Sequence, residues 1–529
     1  MNDRTRTILA LFLIFGVFIA FQFLGPKPQH PKAHQDSDTA ASPAPSATVP
    51  LPATVPAAKA ASAKTVPAPA EVETRELSLE SDGLEVKLSS LGAALTQCRL
   101  GKYRGPDGKP VQLIPEGGSA LGLEVQFQGQ ALDLSKHPFS VAEAGPERVV
   151  FEAPTEHFLV RKTYAALEGG LGLSLIVEIS ARPGGAGLGP RYKLSWGCGL
   201  NSTEKDRKLD LNEFGALAML GKDLATDKLK KLAKPDLEEI EGNIAYSGVR
   251  TKYFLAAMVP PAGRAVSVKQ GLAGPEKATS TLSMAVQGSV SDSFKVYLGP
   301  IEHRRLARVN PGLDRVADTG WRWLQWISRG ILSILTAINR AVPNWGLVIV
   351  IFSALMKVLF FPLTYSGTKS MKRMQMLQPK LKKIQEKHKG DQARISQETM
   401  ALYKEHGANP LSGCLPLLIQ MPIFFALYQV LVNTIELRQA PFMLWLADLS
   451  VKDPYYVLPV LMGIAMFIQQ KMTTVDPKQK MMVYIMPVFM AVIFMNMPAG
   501  LNLYWLTNNI LSIGEQYLIH VRTQPIPQD

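Results

Sequence analysis

The chain has 529 residues, a formal net charge of +13 and a pI near 9.4. That length exceeds what one domain usually holds, and a mean hydropathy of only +0.06 excludes a chain embedded in a membrane throughout. The basic residues fall largely in loops between apolar runs, which argues against direct nucleic-acid binding, and three cysteines are too few for a disulfide framework.

The first apolar run, Ile8 to Leu24, is uncharged and follows Arg4 and Arg6. A signal peptide is one reading, but Phe21 to Gly25 offers no small-x-small cleavage site. Residues 1–24 are therefore predicted to be an uncleaved transmembrane anchor with a cytoplasmic N-terminus. Residues 25–70 are Pro, Ala, Ser, Thr and Lys with almost no bulky apolar side chain, the composition of a disordered tether. Residues 71–315 change character. Stretches such as Leu84-Glu-Val-Lys-Leu88 and Leu173-Ser-Leu-Ile-Val-Glu-Ile179 alternate, with Gly and Pro clusters between them, which predicts an all-β sandwich outside the membrane. In residues 318–341, Trp323, Leu324, Ile327, Ile331, Leu335 and Ile338 recur at helical spacing while Arg322, Arg329 and Arg340 interrupt. This reads as an amphipathic helix on the outer membrane surface, with a further span as the alternative.

Residues 344–521 contain five more apolar runs, giving six predicted transmembrane helices. They are Trp345 to Tyr365, Leu411 to Val432, Tyr456 to Gln470, Met481 to Met497 and Leu501 to about Ile519. Pro498-Ala-Gly500 makes the last two a tight hairpin. From Gly346 to Leu363 the only charge is Lys357. A lysine at mid-depth costs at least ~2.5–3.5 kcal/mol on insertion scales, so either something pairs with it or the bundle holds a wet cavity. Snorkelling to the headgroups is the alternative. The one acid in these runs, Glu515, lies towards the end of the last. Lysine and arginine placement orients the chain. Residues 366–410 and the loop near Asp476 are strongly basic and thus cytoplasmic, the Glu436 to Pro454 segment is outside, and the tail 522–529 is cytoplasmic. Within 366–410, Met371, Met374, Leu377, Leu381 and Ile384 trace one stripe. Lys389-Gly-Asp391 makes a turn with Asp391 as N-cap, and Ile395 and Leu402 continue on a return helix.

Several motifs then carry a resemblance. Asn344-Trp-Gly346, Phe361-Pro-Leu-Thr364, Met374-Gln-Met-Leu-Gln-Pro-Lys380, Asn409-Pro-Leu-Ser-Gly-Cys-Leu-Pro-Leu-Leu-Ile-Gln-Met-Pro-Ile-Phe424, Glu436-Leu-Arg-Gln-Ala-Pro441, Asp453-Pro-Tyr-Tyr456 and Leu458-Pro-Val-Leu-Met-Gly463 are similar to the YidC membrane-protein insertases of Gram-negative bacteria. In the outer domain, Lys252-Tyr-Phe254 and Val296-Tyr-Leu-Gly-Pro300 are similar too. The resemblance implies an all-α polytopic bundle with a five-helix insertase core, plus a periplasmic all-β supersandwich. The core would enclose a hydrophilic groove open to the cytoplasm and to lipid. On matching positions that groove would be lined by Ser353, Lys357, Gln420, Tyr504, Trp505 and Asn508. Lys357 stands where many members carry arginine. It keeps the charge but lacks the planar fork.

The activity so implied is insertion, folding and assembly of integral membrane proteins in the bacterial inner membrane. It needs no covalent catalysis, cofactor or metal. Clients would be nascent membrane proteins, including those with short acidic translocated tails. The implied partners are the Sec translocon (SecYEG and SecDF), the lipid bilayer, and transiently the ribosome and signal recognition pathway. The cytoplasmic hairpin, with Lys380, Lys382, Lys383 and Lys387, would receive clients or the ribosome. The tail from Thr523 to Asp529 is short and not basic, which puts tethering of ribosomes through it in doubt. Two other classes remain on the residues alone. A secondary transporter would use Lys357 as substrate site, but it normally shows an intramembrane acid in a central span. A periplasmic carbohydrate enzyme would need an acid–base pair, and none stands out. A Cys98–Cys198 disulfide is allowed by the compartment.

Overall fold

Alternation of apolar and polar side chains builds the first half of the chain. Along Val290–Pro300, Val290, Asp292, Phe294 and Val296 are buried while Ser291, Ser293 and Lys295 face solvent, as one face of a sheet requires. The computed structural model describes residues 74–522, apart from 168–170, 183–187, 236, 287, 319–322, 409–414 and 474–479. It divides into two compact units that part between Ala317 and Asp318. The predicted anchor, the tether up to residue 70 and the end of the tail lie outside the described residues.

The first unit is β-rich. A nine-stranded antiparallel sheet runs, in spatial order, Asp223–Lys228, Gly215–Leu220, Ile244–Arg250, Phe254–Val259, Val290–Pro300, Gly172–Ala181, Phe158–Ala166, Arg148–Pro154 and Ser140–Ala144. A six-stranded sheet runs Ile240–Glu241, Ala265–Leu272, Ala278–Ala285, Leu188–Trp196, Gly122–Phe127 and Gln130–Asp133. A four-stranded sheet uses residues 76–112. The two larger sheets face each other, with Ser280 Oγ donating to Ser247 Oγ across the gap at 3.1 Å. A buried charge there is paired. Arg264 grips Asp292 with two bonds of 2.8 and 3.1 Å, and the Tyr192 hydroxyl donates to the same carboxylate at 2.7 Å. A charged pair of this kind is tolerated inside because the fork and the hydroxyl satisfy the carboxylate's lone pairs. Cys98 and Cys198 are separate buried thiols.

Lys162 is another buried charge of this unit. Its Nζ donates to the carbonyls of Leu121, Gly92 and Ala93 at 2.8, 3.0 and 3.3 Å, and the Tyr164 hydroxyl adds a 2.6 Å bond to Ala93. Ala93 and Leu121 have φ of +42° and +65°, where a Cβ is disfavoured. The lysine thus ties down two turns whose backbone costs of order 1–3 kcal/mol each. Lys162→Met should destabilise the unit by about 3 kcal/mol, since three carbonyls lose the lysine and only Ala93 keeps another donor, Tyr164. Denaturant unfolding of the full-length protein would measure it. Burial also pushes the Lys162 ammonium down to about 7 from 10.5. Between those values the unfolded chain holds one proton more than the folded one. Stability from this residue should therefore rise with pH across that window, by about 1.4 kcal/mol per unit at most, and level off below pH 7. The Lys162→Met protein should lack this slope.

The second unit is helical: α1 Gln325–Ala341, α2 Trp345–Met376, α3 Gln378–Lys387, α4 Gln392–Glu405, α5 Leu415–Asn433, α6 Val457–Thr473, α7 Lys480–Phe494 and α8 Ala499–Arg522. Asn344 caps α2, accepting from the Leu347 amide at 3.0 Å and donating to the Phe442 carbonyl at 3.2 Å. Asp453 caps α6 through the Leu458 amide at 2.7 Å and also accepts from the Trp445 indole. Such caps satisfy the orphan amides that a helix start leaves. Between α7 and α8 the Asn502 amide donates to the Phe494 carbonyl at 3.1 Å, closing the hairpin expected at Pro498. α1 lays Ile331 and Leu335 against α2 and α5 and leaves Trp326 and Ile334 exposed. α2 packs on α5 and α8, α8 on α6, and α6 on α7. One core cluster threads the bundle, including Val348, Phe352, Leu427, Leu431, Met462 and Tyr504.

Candidate functional site

α2 and α8 lie side by side and run the same way. Lys357 meets Ser512, 155 residues on, and Thr364 meets Glu515, 151 residues on. A near-constant offset is what two parallel helices produce. The alignment sets Glu515 one turn further along the pair than Lys357, within reach of a lysine stem. Lys357 Nζ sits 2.6 Å from Glu515 Oε2 and donates to Ser512 Oγ at 2.8 Å, while the Thr364 hydroxyl donates to Glu515 Oε1 at 2.7 Å. The side chains are 16% and 7% exposed. The lysine is thus paired, one of the two outcomes expected of a charge at this depth.

The other outcome is present too. A recess with about 30 Å³ of space open to water, enough for one or two molecules, lies between α2, α5 and α8. Lys357, Thr364, Gln420, Tyr504 and Asn508 supply its polar wall, and Met356, Phe360, Leu363 and Ile423 its apolar wall. The Gln420 amide reaches the Tyr504 hydroxyl at 3.4 Å. Four of the six residues expected to line a groove therefore come together. The other two sit apart from the recess lining. Ser353 is buried one turn before Lys357 and spends its hydroxyl on the Ile349 carbonyl at 2.7 Å. Trp505 belongs to an aromatic cluster, edge-on to Phe424 with ring centres 5.1 Å apart and near Phe494 at 5.5 Å.

Outside this polar interior the bundle is apolar. Val358, Leu359, Ile464, Tyr484, Val488 and Ile510 are all exposed. A soluble protein hides such residues and shows its polar ones, and a continuous exposed apolar surface needs a non-aqueous cover. By length and composition, α2 is apolar enough to cross a membrane, and Val457–Met472 and Val483–Phe494 are apolar but shorter. Beyond α2, the α3–α4 hairpin carries the expected turn, with Asp391 accepting from the Arg394 amide at 3.0 Å and His388 Nε2 2.9 Å from Glu398. Met374 and Leu377 are buried with Ala408, and Leu402 packs on them. Lys380, Lys382, Lys383 and Lys387 all face solvent.

The sequence matches the family model described as "60Kd inner membrane protein" over residues 337–525 and that of the YidC periplasmic domain over residues 76–334. It is 32% identical over 553 aligned residues to the membrane protein insertase YidC of Syntrophus aciditrophicus, covering 97% of this chain and 99% of that one. With the same-named protein of Geobacter metallireducens it shares 34% identity over 97% and 98% of the two chains. The chain belongs to the YidC family of membrane protein insertases. A crystal structure of an active YidC insertase with the first transmembrane domain resolved is matched over 84% of this chain at 19% identity and a TM-score of 0.39. The insertase is an inner-membrane protein with a periplasmic domain, and its substrates are nascent membrane proteins.

Sequence reasoning missed Thr364, Ser512 and Glu515 as site residues. By sequence Glu515 reads as an acid near a helix end, and the transporter alternative is weakened because no central span supplies an acid. Glu515 is in fact buried against Lys357, so it is family membership, and not the lack of an acid, that decides between the two functions. The signal available was two lone opposite charges on two apolar runs predicted to start on the same side of the membrane, about 18 and 24 Å along their helices.

Proposed function

We propose that clients enter the membrane by way of the recess at Lys357. The observation that carries this reading is a polar set of Lys357, Thr364, Gln420, Tyr504 and Asn508 inside a bundle whose outer surface is apolar. A wet recess shortens the dry path of a translocated segment. A lysine there attracts acidic residues of the client, and low dielectric strengthens the pull. The client's apolar helix then leaves sideways against lipid, where burial stabilises it. On this reading six helices span the inner membrane, both termini are cytoplasmic, and residues 25–340 lie outside with a supersandwich β domain. α1 rests in the outer interface, a role that its exposed Trp326 and Ile334 suit. SecYEG, SecDF, the ribosome and the signal recognition pathway would share clients with it.

The test is insertion rate against the number of aspartates in a client's translocated tail. Wild type should gain roughly 1 kcal/mol, about fivefold in rate, per acid, and Lys357→Ala should lose most of that gain. Parallel lines for the two proteins would show that Lys357 does not read client charge.

The α3–α4 hairpin is proposed as the cytoplasmic receiver. Its lysines are exposed and its apolar contacts are few, so it can move without disturbing the core. Removing residues 379–405 should slow insertion at least tenfold while a protease-resistant span bundle still forms. Insertion at the wild-type rate would reduce the hairpin to a charged loop.

A further inference from the structure

We infer that Glu515 is a built-in competitor for client carboxylates: it holds Lys357 between clients, so an acidic segment gains the lysine only by exchange. The inference rests on the recess reading above and adds a residue that sets its specificity. Three features of the site carry it. First, Lys357 lines the recess whereas Glu515 is not among the residues that line it, so the lysine faces the entering segment and its partner stands behind. Second, each partner has a neutral hydroxyl of its own, Ser512 for the lysine and Thr364 for the glutamate. Parting them leaves neither group bare, which lowers the cost of exchange. Third, the pair as a whole is neutral. A client carboxylate is attracted by Lys357 and repelled by Glu515 a few ångströms further on.

The consequence is moderation. A free lysine in a low-dielectric recess would hold an acidic tail tightly and release it slowly. With Glu515 present, the glutamate takes the lysine back and the client leaves. The same competition favours tails with several acids over tails with one. A counter-ion needed only for folding would instead make the pair neutral filler, replaceable without effect on client choice.

The experiment uses the full-length protein in lipid vesicles. The dwell time of single-span clients is followed by cross-linking, with tails carrying no aspartate or two. The readout is the ratio of the acidic-tail to the neutral-tail dwell time, which cancels a uniform loss of active protein. Glu515→Gln keeps the shape and a partner for Thr364, and should raise the ratio about tenfold. A ratio equal to wild type in Glu515→Gln, with a collapsed ratio in Lys357→Ala, would overturn the role of Glu515 and leave the recess reading intact. A wild-type ratio in Lys357→Ala would instead overturn the recess reading itself. The charge-swapped protein, Lys357→Glu with Glu515→Lys, decides the matter if Glu515→Gln fails to assemble. It keeps an ion pair between the helices but turns a carboxylate to the recess, so its ratio should drop below one and lysine-bearing tails should dwell longer. A charge-swapped protein that assembles and still prefers acidic tails would refute the inference.

Discussion

Replacing Lys357 by Glu alone is expected to abolish insertion of every client class. The substitution removes one attraction and creates two carboxylates on adjacent helices, with Ser512 and Thr364 as the nearest polar neighbours. Breaking a buried pair by losing one partner usually costs about 3–5 kcal/mol, and like charges at this depth add to it. The defect should exceed that of Lys357→Ala, and it should include loss of α2–α8 packing, read as faster proteolysis within the bundle. Lys357→Arg should behave otherwise. It keeps the charge, and its fork can bond Glu515 and Ser512 together. An assembled Lys357→Glu protein inserting at wild-type rates would mean that the charge at this position matters neither to the bundle nor to clients.

The second large effect is expected far from the charges, at Gly346. A Cβ placed there would lie 1.9 Å from the Phe442 ring and 2.7 Å from its Cβ, so the first turn of α2 and the segment between α5 and α6 touch backbone to ring. That ring cannot swing aside without leaving the core cluster, which it joins beside Trp345 and Trp445. Gly346→Ala should destabilise the bundle by about 3 kcal/mol, the upper range for overpacking, and reduce the amount of assembled protein several-fold. Phe442→Ala should suppress the defect in the double variant, because it removes the colliding atoms. Thermal stability of the purified single and double variants is the direct check. Equal loss in both would place the fault of Gly346→Ala elsewhere, for instance in α2 itself.

Much of the architecture was legible without coordinates. Strand alternation in residues 71–315 and the apolar runs after Asn344 are local patterns, set by which face of an element must be hidden. The Lys389-Gly-Asp391 turn and the break at Pro498 are local as well, since they depend on the φ freedom of one glycine, the cap chemistry of one aspartate and the missing amide of one proline. Four of six expected recess residues converge because the motifs that carry them keep their spacing along single helices. Ser353 and Trp505 lie outside the recess lining for a rotational reason. Ser353 sits on the face of α2 that packs into the bundle, and Trp505 follows Tyr504 by one residue, which turns it about 100° around α8 and into the Phe424 and Phe494 rings.

By itself, then, the sequence determined that a lysine in an apolar helix must find a partner or water, because the cost of a bare charge in a low-dielectric medium does not depend on the fold. Which partner it finds was decided only by tertiary structure. The pairing of Lys357 with Glu515 spans more than 150 residues and depends on the relative register of two helices, set by side chains packed along their whole length. A shift of one residue would turn Glu515 away by about 100° and break the pair. The same holds for Lys162, whose strand alternates as expected but whose ammonium is held by carbonyls of two distant turns. Local chemistry states what each charge requires, and the packing of distant segments supplies it.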